Sequence, residues 1–242
     1  MIPEQDVKRG ADAPLFGKQA AGVRILYEDE TLLACVKPAG MDSEHALPAA
    51  LAASGRPVWV VHRLDRDTAG VTVLARSREA AAALSAGVAA GADEKEYLAV
   101  LAGRPAERAG ELRDLLFHDR ARNKTFVVDR MRRGVREAAL VYRTLGETAS
   151  QTLVHVRLIT GRTHQIRVQF ASRGTPLVGD ARYGGRTAAA RTPALWSLAV
   201  TLTHPARGER MRFAALPSRT GVWEDFTAAL SSMGEGNADS VL

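Results

Sequence analysis

The amino-acid sequence predicts an α+β fold, a largely antiparallel mixed sheet with peripheral helices. Two observations predict this class. Short apolar runs with strand-like patterns, separated by turn residues, fill most of the chain, whereas helical periodicity is confined to a few stretches. The strands also do not alternate regularly with helices, as they would around a parallel sheet.

The first third of the chain predicts an N-terminal arm followed by strands. Residues 1–20 mix charged residues, glycine and proline without periodicity, so we expect a loose arm there. Residues 23–36 alternate, turn at Glu28-Asp29-Glu30 and resume as an apolar run, which is typical of a β-hairpin. Further strands are predicted at 56–61 and 71–75. They bracket a polar segment, and Asp65 is therefore expected on a loop between strands.

The middle of the chain predicts one helix and then mostly strands. Ser77 suits the N-cap of an alanine-rich helix that ends near Ala90, just before Gly91. A strand is expected at 97–101. Residues 112–159 predict an antiparallel meander, with strands at 125–128, 138–145 and 152–159.

The last third predicts a short helix, two strands and a final helix. Residues 160–163 form a predicted turn, with Thr163 as the cap of the short helix that follows. Late strands are expected at 195–202 and 211–214, and an amphipathic helix at 222–233 that buries Phe226 and Leu230. We interpret residues 21–233 as one domain and residues 234–242 as a disordered tail.

Composition limits the classes of protein that remain. The 242 residues are 46% hydrophobic, which is enough for a substantial core. No apolar run reaches the roughly 20 residues of a membrane helix, and the start lacks a secretory-signal pattern. Cys35 is the single cysteine and lies in an apolar run, so it predicts a small buried hydrophobe. A soluble, cytoplasmic protein without membrane attachment is expected.

Positive charge is concentrated in one segment. The formal net charge is +6 with a pI of about 9.9, and most of the basic residues are arginine. We call the basic residues between positions 120 and 136 the basic strip: Arg120, Arg122, Lys124, Arg130, Arg132, Arg133 and Arg136. Such a strip would attract an RNA phosphate backbone by counterion release. An ordinary solvated hairpin would carry the same charges, and charge alone does not choose between the two.

Motifs for metals and nucleotide cofactors are missing from the sequence. The histidines do not follow a metal-binding spacing such as His-Glu-x-x-His. Neither a Gly-x-Gly-x-x-Gly segment after a strand nor a Gly-x-x-x-x-Gly-Lys-Ser/Thr loop is present. We therefore predict no metal and no cofactor.

Three polar segments stand out within apolar surroundings. They are His62 to Gly70, Lys95 to Ala99, and Thr160 to Arg167. Considered alone, Asp65 between two arginines is best interpreted as a turn residue or half of a surface ion pair. The full set of segments changes that interpretation.

Together these segments resemble the RluA-type family of RNA pseudouridine synthases, in order and spacing, from Ile25 to Pro205. The matching motifs are Lys37-Pro38-Ala39-Gly40, His62-Arg63-Leu64-Asp65 with Thr68 and Gly70, Lys95-x-Tyr97, Gly161-Arg162-x-His164-Gln165-Ile166-Arg167, Gly179-Asp180-x-x-Tyr183-Gly184 and His204-Pro205. The chain departs from the family pattern at Ala69, Cys35 and Trp196-Ser197. None of these departures falls on a position that the family uses in catalysis.

The resemblance implies isomerisation of uridine to pseudouridine in structured RNA, with Asp65 as the catalytic carboxylate. Asp65 would attack the sugar or the base, or remove the C2′ proton, and the sequence leaves these routes open. Arg167 would be its charge partner, with a helix-surface arginine as the alternative. Tyr97 would stack on the target base, with a plain strand aromatic as the alternative.

The resemblance also suggests roles around the flipped nucleotide. Arg63 would fill the space that the base leaves, with a phosphate contact or an ion pair to Asp67 as the alternatives. His62 and His164 are expected only to fix loop geometry. Expected partners are structured ribosomal or transfer RNA, without an obligatory protein partner, and the protein is expected to be a monomer.

Two other functions compete with this interpretation. A non-catalytic RNA-binding module would keep the fold and the basic strip. A hydrolase with an aspartate nucleophile would need a second carboxylate and a water-activating group, which the sequence does not reveal.

Overall fold

The structure is a computed structural model that describes residues 19–20, 22–52, 57–185, 187 and 190–235. The predicted arm, 1–20, lies outside the described residues except for its last two, and so does most of the predicted tail, 234–242. The chain divides into two compact units: unit 1 comprises 1–95 and 197–215, and unit 2 comprises 96–196 and 216–242.

Unit 1 contains an antiparallel group of strands around β3. Its elements are β1 (Gln19–Ala20), β2 (Val23–Glu28), β3 (Leu32–Lys37), α1 (Ala46–Ala52), β4 (Trp59–Val60), β5 (Ala69–Ala75) and α2 (Arg78–Ala89). The neighbours run β1-β2-β3-β5, with β4 also paired to β5. The predicted hairpin at 23–36 is therefore confirmed, and the strand predicted at 56–61 is shortened to two residues.

Both faces of β3 are buried, which explains its unbroken apolar sequence. Leu32 and Ala34 pack with Leu84 of α2 on one face. Leu33 and Cys35 pack with Leu47 of α1 on the other. Burial raises the pKa of the Cys35 thiol to about 12, so the thiol stays protonated and behaves as the small hydrophobe that was predicted.

The two helices of unit 1 differ in how well the sequence predicts them. Helix α2 begins as predicted, because Ser77 Oγ accepts a hydrogen bond from the Ala80 N–H at 3.1 Å. Helix α1 was not predicted. The Asp42 carboxylate accepts from the Glu44 and His45 N–H groups just before it, and Leu47 and Leu51 fall on its buried side.

Unit 2 contains a second antiparallel group of strands and differs from the predicted meander. Its elements are β6 (Glu94–Ala102, which begins in unit 1), β7 (Ala109–Asp119), β8 (Lys124–Val128), β9 (Val135–Glu147) and β10 (Gln151–Leu158). Strands β7 and β8 form a hairpin, but β9 pairs with β7 rather than with β8, and β10 pairs with β9. The meander prediction is therefore wrong in connectivity, because β9 runs back to the free side of β7.

Helices at the C-terminal end of the chain correct two further predictions. Helix α3 (Gln165–Ala171) has His164, not Thr163, at its N-cap, in a left-handed conformation with φ of 55°. The predicted final helix starts as a 3-10 helix (Gly221–Phe226) and continues as α4 (Thr227–Glu235), with Phe226 and Leu230 buried as expected. Late strands β11 (Leu195–Thr203, from Ser197 in unit 1) and β12 (Arg210–Ala214) pair as predicted. Among the described helices, none is both long and apolar enough to cross a membrane.

Candidate active site

Asp65 lies on the loop between β4 and β5, as predicted. The loop closes in a turn, because the Thr68 N–H donates to the Asp65 carbonyl at 3.0 Å. Leu64 is buried, and its backbone N–H and carbonyl both bond to Ser43 Oγ, at 3.3 and 2.9 Å. Leu64, the residue before Asp65, is thus tied to Ser43 through both of its backbone polar groups.

A buried ammonium group lies at the centre of this arrangement. Lys37, at the end of β3, has no solvent exposure, and its Nζ donates to the carbonyls of Pro38, Met41 and Arg66 at 3.1, 2.9 and 3.0 Å. Three donors meet three acceptors, which compensates for much of the cost of burying the charge. One acceptor belongs to Arg66, the residue after Asp65. Lys37 therefore links the turn at 38–41 to the Asp65 loop.

Burial and the nearby carboxylates shift the pKa of Lys37 in opposite directions. Burial lowers the pKa of Lys37 to about 8, while the negative charges of Asp67, Asp65 and Asp42 act to raise it. From the sequence, Lys37 is identified only as part of a family motif, so its link to the Asp65 loop was missed.

His62 has the geometric role that was predicted. Its Nε2 accepts a hydrogen bond from the Val73 N–H at 3.2 Å, which requires an unprotonated nitrogen. Removal of the ring from water lowers the pKa of His62 to about 3, and the charge of Lys95 acts in the same direction. The neutral ring therefore joins the Asp65 loop to the middle of β5.

Gly70 allows the start of β5 to approach Ser197 closely. Its φ is +118°, and a Cβ at this position would lie 2.2 Å from the backbone oxygen of Ser197. The Ser197 hydroxyl donates to the Val71 carbonyl at 2.8 Å. The family motif thus places a glycine where a larger residue has no room.

Arg63 lies on the exposed side of the same loop. Its Nη1 is 3.1 Å from Glu44 Oε1, and the two side chains are 57% and 47% exposed. The structure therefore gives Glu44, rather than Asp67, as its ion-pair partner. An exposed pair of this kind contributes little to stability, so the guanidinium is available for another contact.

In unit 2, Tyr97 occupies the predicted strand β6 and is buried. Its neighbour Glu96 pairs with His155 of β10, with 2.9 Å between Oε2 and Nε2. A buried carboxylate and imidazole in contact stabilise the pairing of these strands. The base-stacking role of Tyr97 stays a prediction.

Arg167 is buried in helix α3 and held by side chains that the sequence did not reveal. Its Nε and Nη2 donate to the two carboxylate oxygens of Asp180, at 2.6 and 2.8 Å. The Tyr183 ring covers the guanidinium at 5.2 Å from its centroid. The alternative of a plain helix-surface arginine is therefore wrong. Asp180 and Tyr183 belong to a motif that was recognised, but neither was given a role.

Asp65 and Arg167 belong to different units, and their predicted charge pairing remains an expectation from the family resemblance. Within the described part of the chain, no group of three or more His, Cys, Asp or Glu side chains is arranged to hold a metal ion.

The basic strip maps onto the β7–β8 hairpin, the loop that follows it and the start of β9, where Arg136 lies. All six of its arginines are exposed, and Lys124 is half-buried. Lys124 Nζ lies over the rings of Phe126 and Tyr183, 5.6 and 5.4 Å from their centroids. Arg132 lies over the Phe117 ring at 5.3 Å. The strip is thus a cationic surface with aromatic rings among its charges.

Comparisons with known proteins agree with these features. Residues 31–172 match the family model of RNA pseudouridylate synthases. The chain is 33% identical to a ribosomal large subunit pseudouridine synthase D of Xanthomonas campestris, over 89% of this chain and 71% of that protein. It is 34% identical to the protein of the same name from Pseudomonas aeruginosa, over 95% and 80%.

A solved structure shows the same fold. The human RNA pseudouridylate synthase domain containing 4 is 24% identical, covers 86% of this chain and 92% of its own, and superposes with a TM-score of 0.68. The predicted α+β fold and the predicted family are both confirmed. The chain therefore belongs to the RNA pseudouridylate synthase family and is an RNA pseudouridine synthase.

Proposed function

We propose that the protein isomerises specific uridines to pseudouridine in structured RNA, with Asp65 as the catalytic carboxylate. The observation that carries this assignment is that hydrogen bonds fix the backbone on both sides of Asp65. Backbone bonds to Ser43 and to the Lys37 ammonium fix the residues on either side of it, within a chain of this family. A rigid backbone keeps a reacting side chain close to its productive position, and such positioning supplies a large part of the rate enhancement of an enzyme.

The reaction is balanced without a cofactor. The bond between C1′ and N1 breaks, the base turns, and a bond between C1′ and C5 forms; C5 loses a proton and N1 gains one. Asp65 would take part as an anion, as nucleophile at the sugar or base or as base at C2′.

The remaining predicted site residues would act on the target nucleotide. Arg167 would act as the charge partner of Asp65, and Tyr97 would stack on the base. Arg63 would fill the space left by the flipped nucleotide, and its exposed, weakly paired position suits that role.

The substrate RNA is proposed to be ribosomal or transfer RNA. Relatives named for the large ribosomal subunit make its RNA the first candidate. The basic strip would bind the phosphate backbone. A cytoplasmic location and a monomeric state remain predictions from the sequence.

Pseudouridine mapping of cellular RNA tests the assignment. Cells with the protein, without it, and with Asp65→Asn in its place should differ at the target uridines, which stay unmodified in the last two. The Asp65→Asn protein should still bind the RNA. Identical maps in all three would contradict the proposal. A loss of modification without the protein but not with Asp65→Asn would overturn the role of Asp65 alone.

Salt dependence tests the basic strip. Glutamine at Arg130, Arg132, Arg133 and Arg136 should weaken RNA binding and lower the slope of log affinity against log salt by about one for each lost phosphate contact. The control replaces Arg104 and Arg108, two exposed arginines of unit 2 that pair with Glu147. An equal effect in the control, or an unchanged slope in the strip variant, would identify the strip as a solvated hairpin.

A further inference from the structure

Tyr183 connects three parts of unit 2 through one side chain. Its hydroxyl accepts from the Thr125 N–H at 2.8 Å and lies 3.0 Å from His164 Nδ1. The centroid of its ring lies 5.2 Å from the Arg167 guanidinium and 5.4 Å from Lys124 Nζ. Lys124 and Thr125 are the first two residues of strand β8 in the β7–β8 hairpin, whereas His164 and Arg167 belong to the start of helix α3.

The chemical state of the hydroxyl suits this position. Burial raises the pKa of Tyr183, so the hydroxyl keeps its proton. A protonated hydroxyl can donate to His164 Nδ1 while it accepts from Thr125. His164 caps helix α3 in a left-handed conformation, so its bond to Tyr183 fixes a position that few residues adopt.

Asp180 also holds the Arg167 guanidinium in place. Both carboxylate oxygens accept from the guanidinium, and Asp180 has no solvent exposure. Paired, buried bonds of this kind fix both the distance and the plane of an arginine side chain. Two points of attachment and a covering ring thus leave the guanidinium little freedom.

The turn that carries Asp180 and Tyr183 is itself rigid. The Gly185 N–H donates to the Asp180 carbonyl at 2.8 Å, and the Asp180 N–H donates to the Leu177 carbonyl at 3.1 Å. A Cβ at Gly185 would lie 1.7 Å from the Leu177 carbonyl oxygen. Arg182, which lies between Asp180 and Tyr183 in the sequence, donates a hydrogen bond to the Arg122 carbonyl in the β7–β8 hairpin at 3.0 Å.

We propose that Asp180 and Tyr183 are positioning residues that fix Arg167 and the β7–β8 end of the basic strip as one rigid group. This inference rests on the proposed function, in which Arg167 serves catalysis and the strip binds RNA. Asp180 sets the guanidinium and therefore acts on the chemical step. The Tyr183 hydroxyl sets the hairpin relative to helix α3 and therefore acts on RNA binding.

Two conservative variants separate these effects. Their substrate is a transcript spanning a uridine that the cellular map identifies. Asp180→Asn keeps the size and one acceptor but removes the charge; we expect kcat to fall about 100-fold, as for a misplaced catalytic group, with RNA affinity nearly unchanged. Tyr183→Phe keeps the ring but removes both hydroxyl bonds; we expect RNA affinity to fall about 5- to 10-fold with kcat nearly unchanged.

Asp114→Asn is the matched control. Asp114 is also mostly buried in unit 2 and pairs with an arginine of the α3 region, Arg173, at 2.9 Å, but it does not bond to Arg167. If Asp180 were only a structural residue, Asp180→Asn and Asp114→Asn would lower thermal stability alike and leave kcat per RNA-binding molecule unchanged. That result would overturn the role of Asp180. An unchanged RNA affinity in Tyr183→Phe would overturn the role of its hydroxyl.

Tyr183→Leu covers the case in which Asp180→Asn does not fold. It removes the ring over Arg167 without leaving a buried charge unpaired, and kcat should fall if that ring positions the guanidinium; an unchanged kcat would contradict the inference. The proposed function fails separately, because then the wild-type protein itself produces no pseudouridine in the transcript.

Discussion

Asp65 in unit 1 and Arg167 in unit 2 are held in place by different means. The Asp65 loop is fixed through its backbone, by a lysine that binds three carbonyls and by a glycine that allows close approach. The Arg167 side chain is fixed by other side chains, a carboxylate and a ring. We therefore expect the Asp65 loop to depend most on Lys37 and Gly70, and the position of the Arg167 guanidinium to depend most on the Asp180 carboxylate and the Tyr183 ring.

Gly70 should show the largest effect on stability. Gly70→Ala adds a Cβ 2.2 Å from the Ser197 backbone oxygen, at a φ of +118°. We expect a loss of about 4 kcal/mol in the free energy of unfolding, from overpacking and backbone strain together. Gly40→Ala is the control, since Gly40 also has a positive φ but open space around it; about 1 kcal/mol is expected there. Urea melts compare the two, and equal losses would show that close approach is not the reason for Gly70.

Replacement of Lys37 should have the second-largest effect on stability. Lys37→Met removes the donor that the carbonyls of Pro38, Met41 and Arg66 share, although the Arg66 carbonyl keeps its bond from the Gly40 N–H. We expect a loss of about 3 kcal/mol in the free energy of unfolding. Lys95→Met removes another ammonium of unit 1 whose pKa is lowered by burial, and should cost less than about 1 kcal/mol. Similar losses in the two variants would contradict the carbonyl link.

The pH dependence of stability sharpens the same point. The pKa of Lys37 is about 8 in the folded protein, against 10.5 for a lysine side chain in water. Between these two values the unfolded chain binds the extra proton, so the stabilising contribution of Lys37 grows as pH rises from 8 to 10.5 and is lost as pH falls through 8. The difference in stability between wild type and Lys37→Met should therefore widen by about 2–3 kcal/mol over that range. A constant or narrowing difference in urea melts at pH 7 and 10 would contradict the lowered pKa.

Arg63 should have the smallest effect on stability and a clear one on rate. Arg63→Gln breaks an exposed ion pair, and a loss of at most about 0.5 kcal/mol is expected. If Arg63 fills the space of the flipped nucleotide, single-turnover assays should show about a 10-fold slower rate. Glu44→Gln breaks the same ion pair and should leave the rate unchanged. Equal slowing in both variants would mean that the ion pair, not the guanidinium alone, matters.

Local features of the fold were predictable because neighbours in the sequence encode them. The β2–β3 hairpin, the capped helix α2 and the loop position of Asp65 follow from alternation, capping and turn residues. Helix α1 was missed because its seven residues span two turns and include Pro48, too short a stretch for helical periodicity. The pairing of β9 with β7 was missed because strand order depends on which edges meet, and a local pattern does not carry that information.

The site was predictable in its residues but not in its contacts. Motif spacing identified Asp65, Tyr97 and Arg167, and the structure places them in the expected loop, strand and helix. The partners that hold them are distant in sequence: Arg66 is 29 residues from Lys37, and Asp180 is 13 from Arg167. A buried charge must have a partner, so a lysine or arginine within an apolar element is the signal that could have prompted a search for one.

The most direct test of the central claim compares two carboxylates of one loop. Purified Asp65→Asn and Asp67→Asn proteins are incubated with RNA from cells that lack the protein, and the pseudouridine formed is measured. Both residues lie within the Asp65 loop and both act to raise the pKa of Lys37, so the two changes alter the electrostatics at Lys37 in the same direction. We predict that Asp65→Asn lowers the rate at least about 1,000-fold, whereas Asp67→Asn stays close to wild type. Substantial activity in Asp65→Asn, or equal loss in both, would contradict the assignment of Asp65 as the catalytic carboxylate.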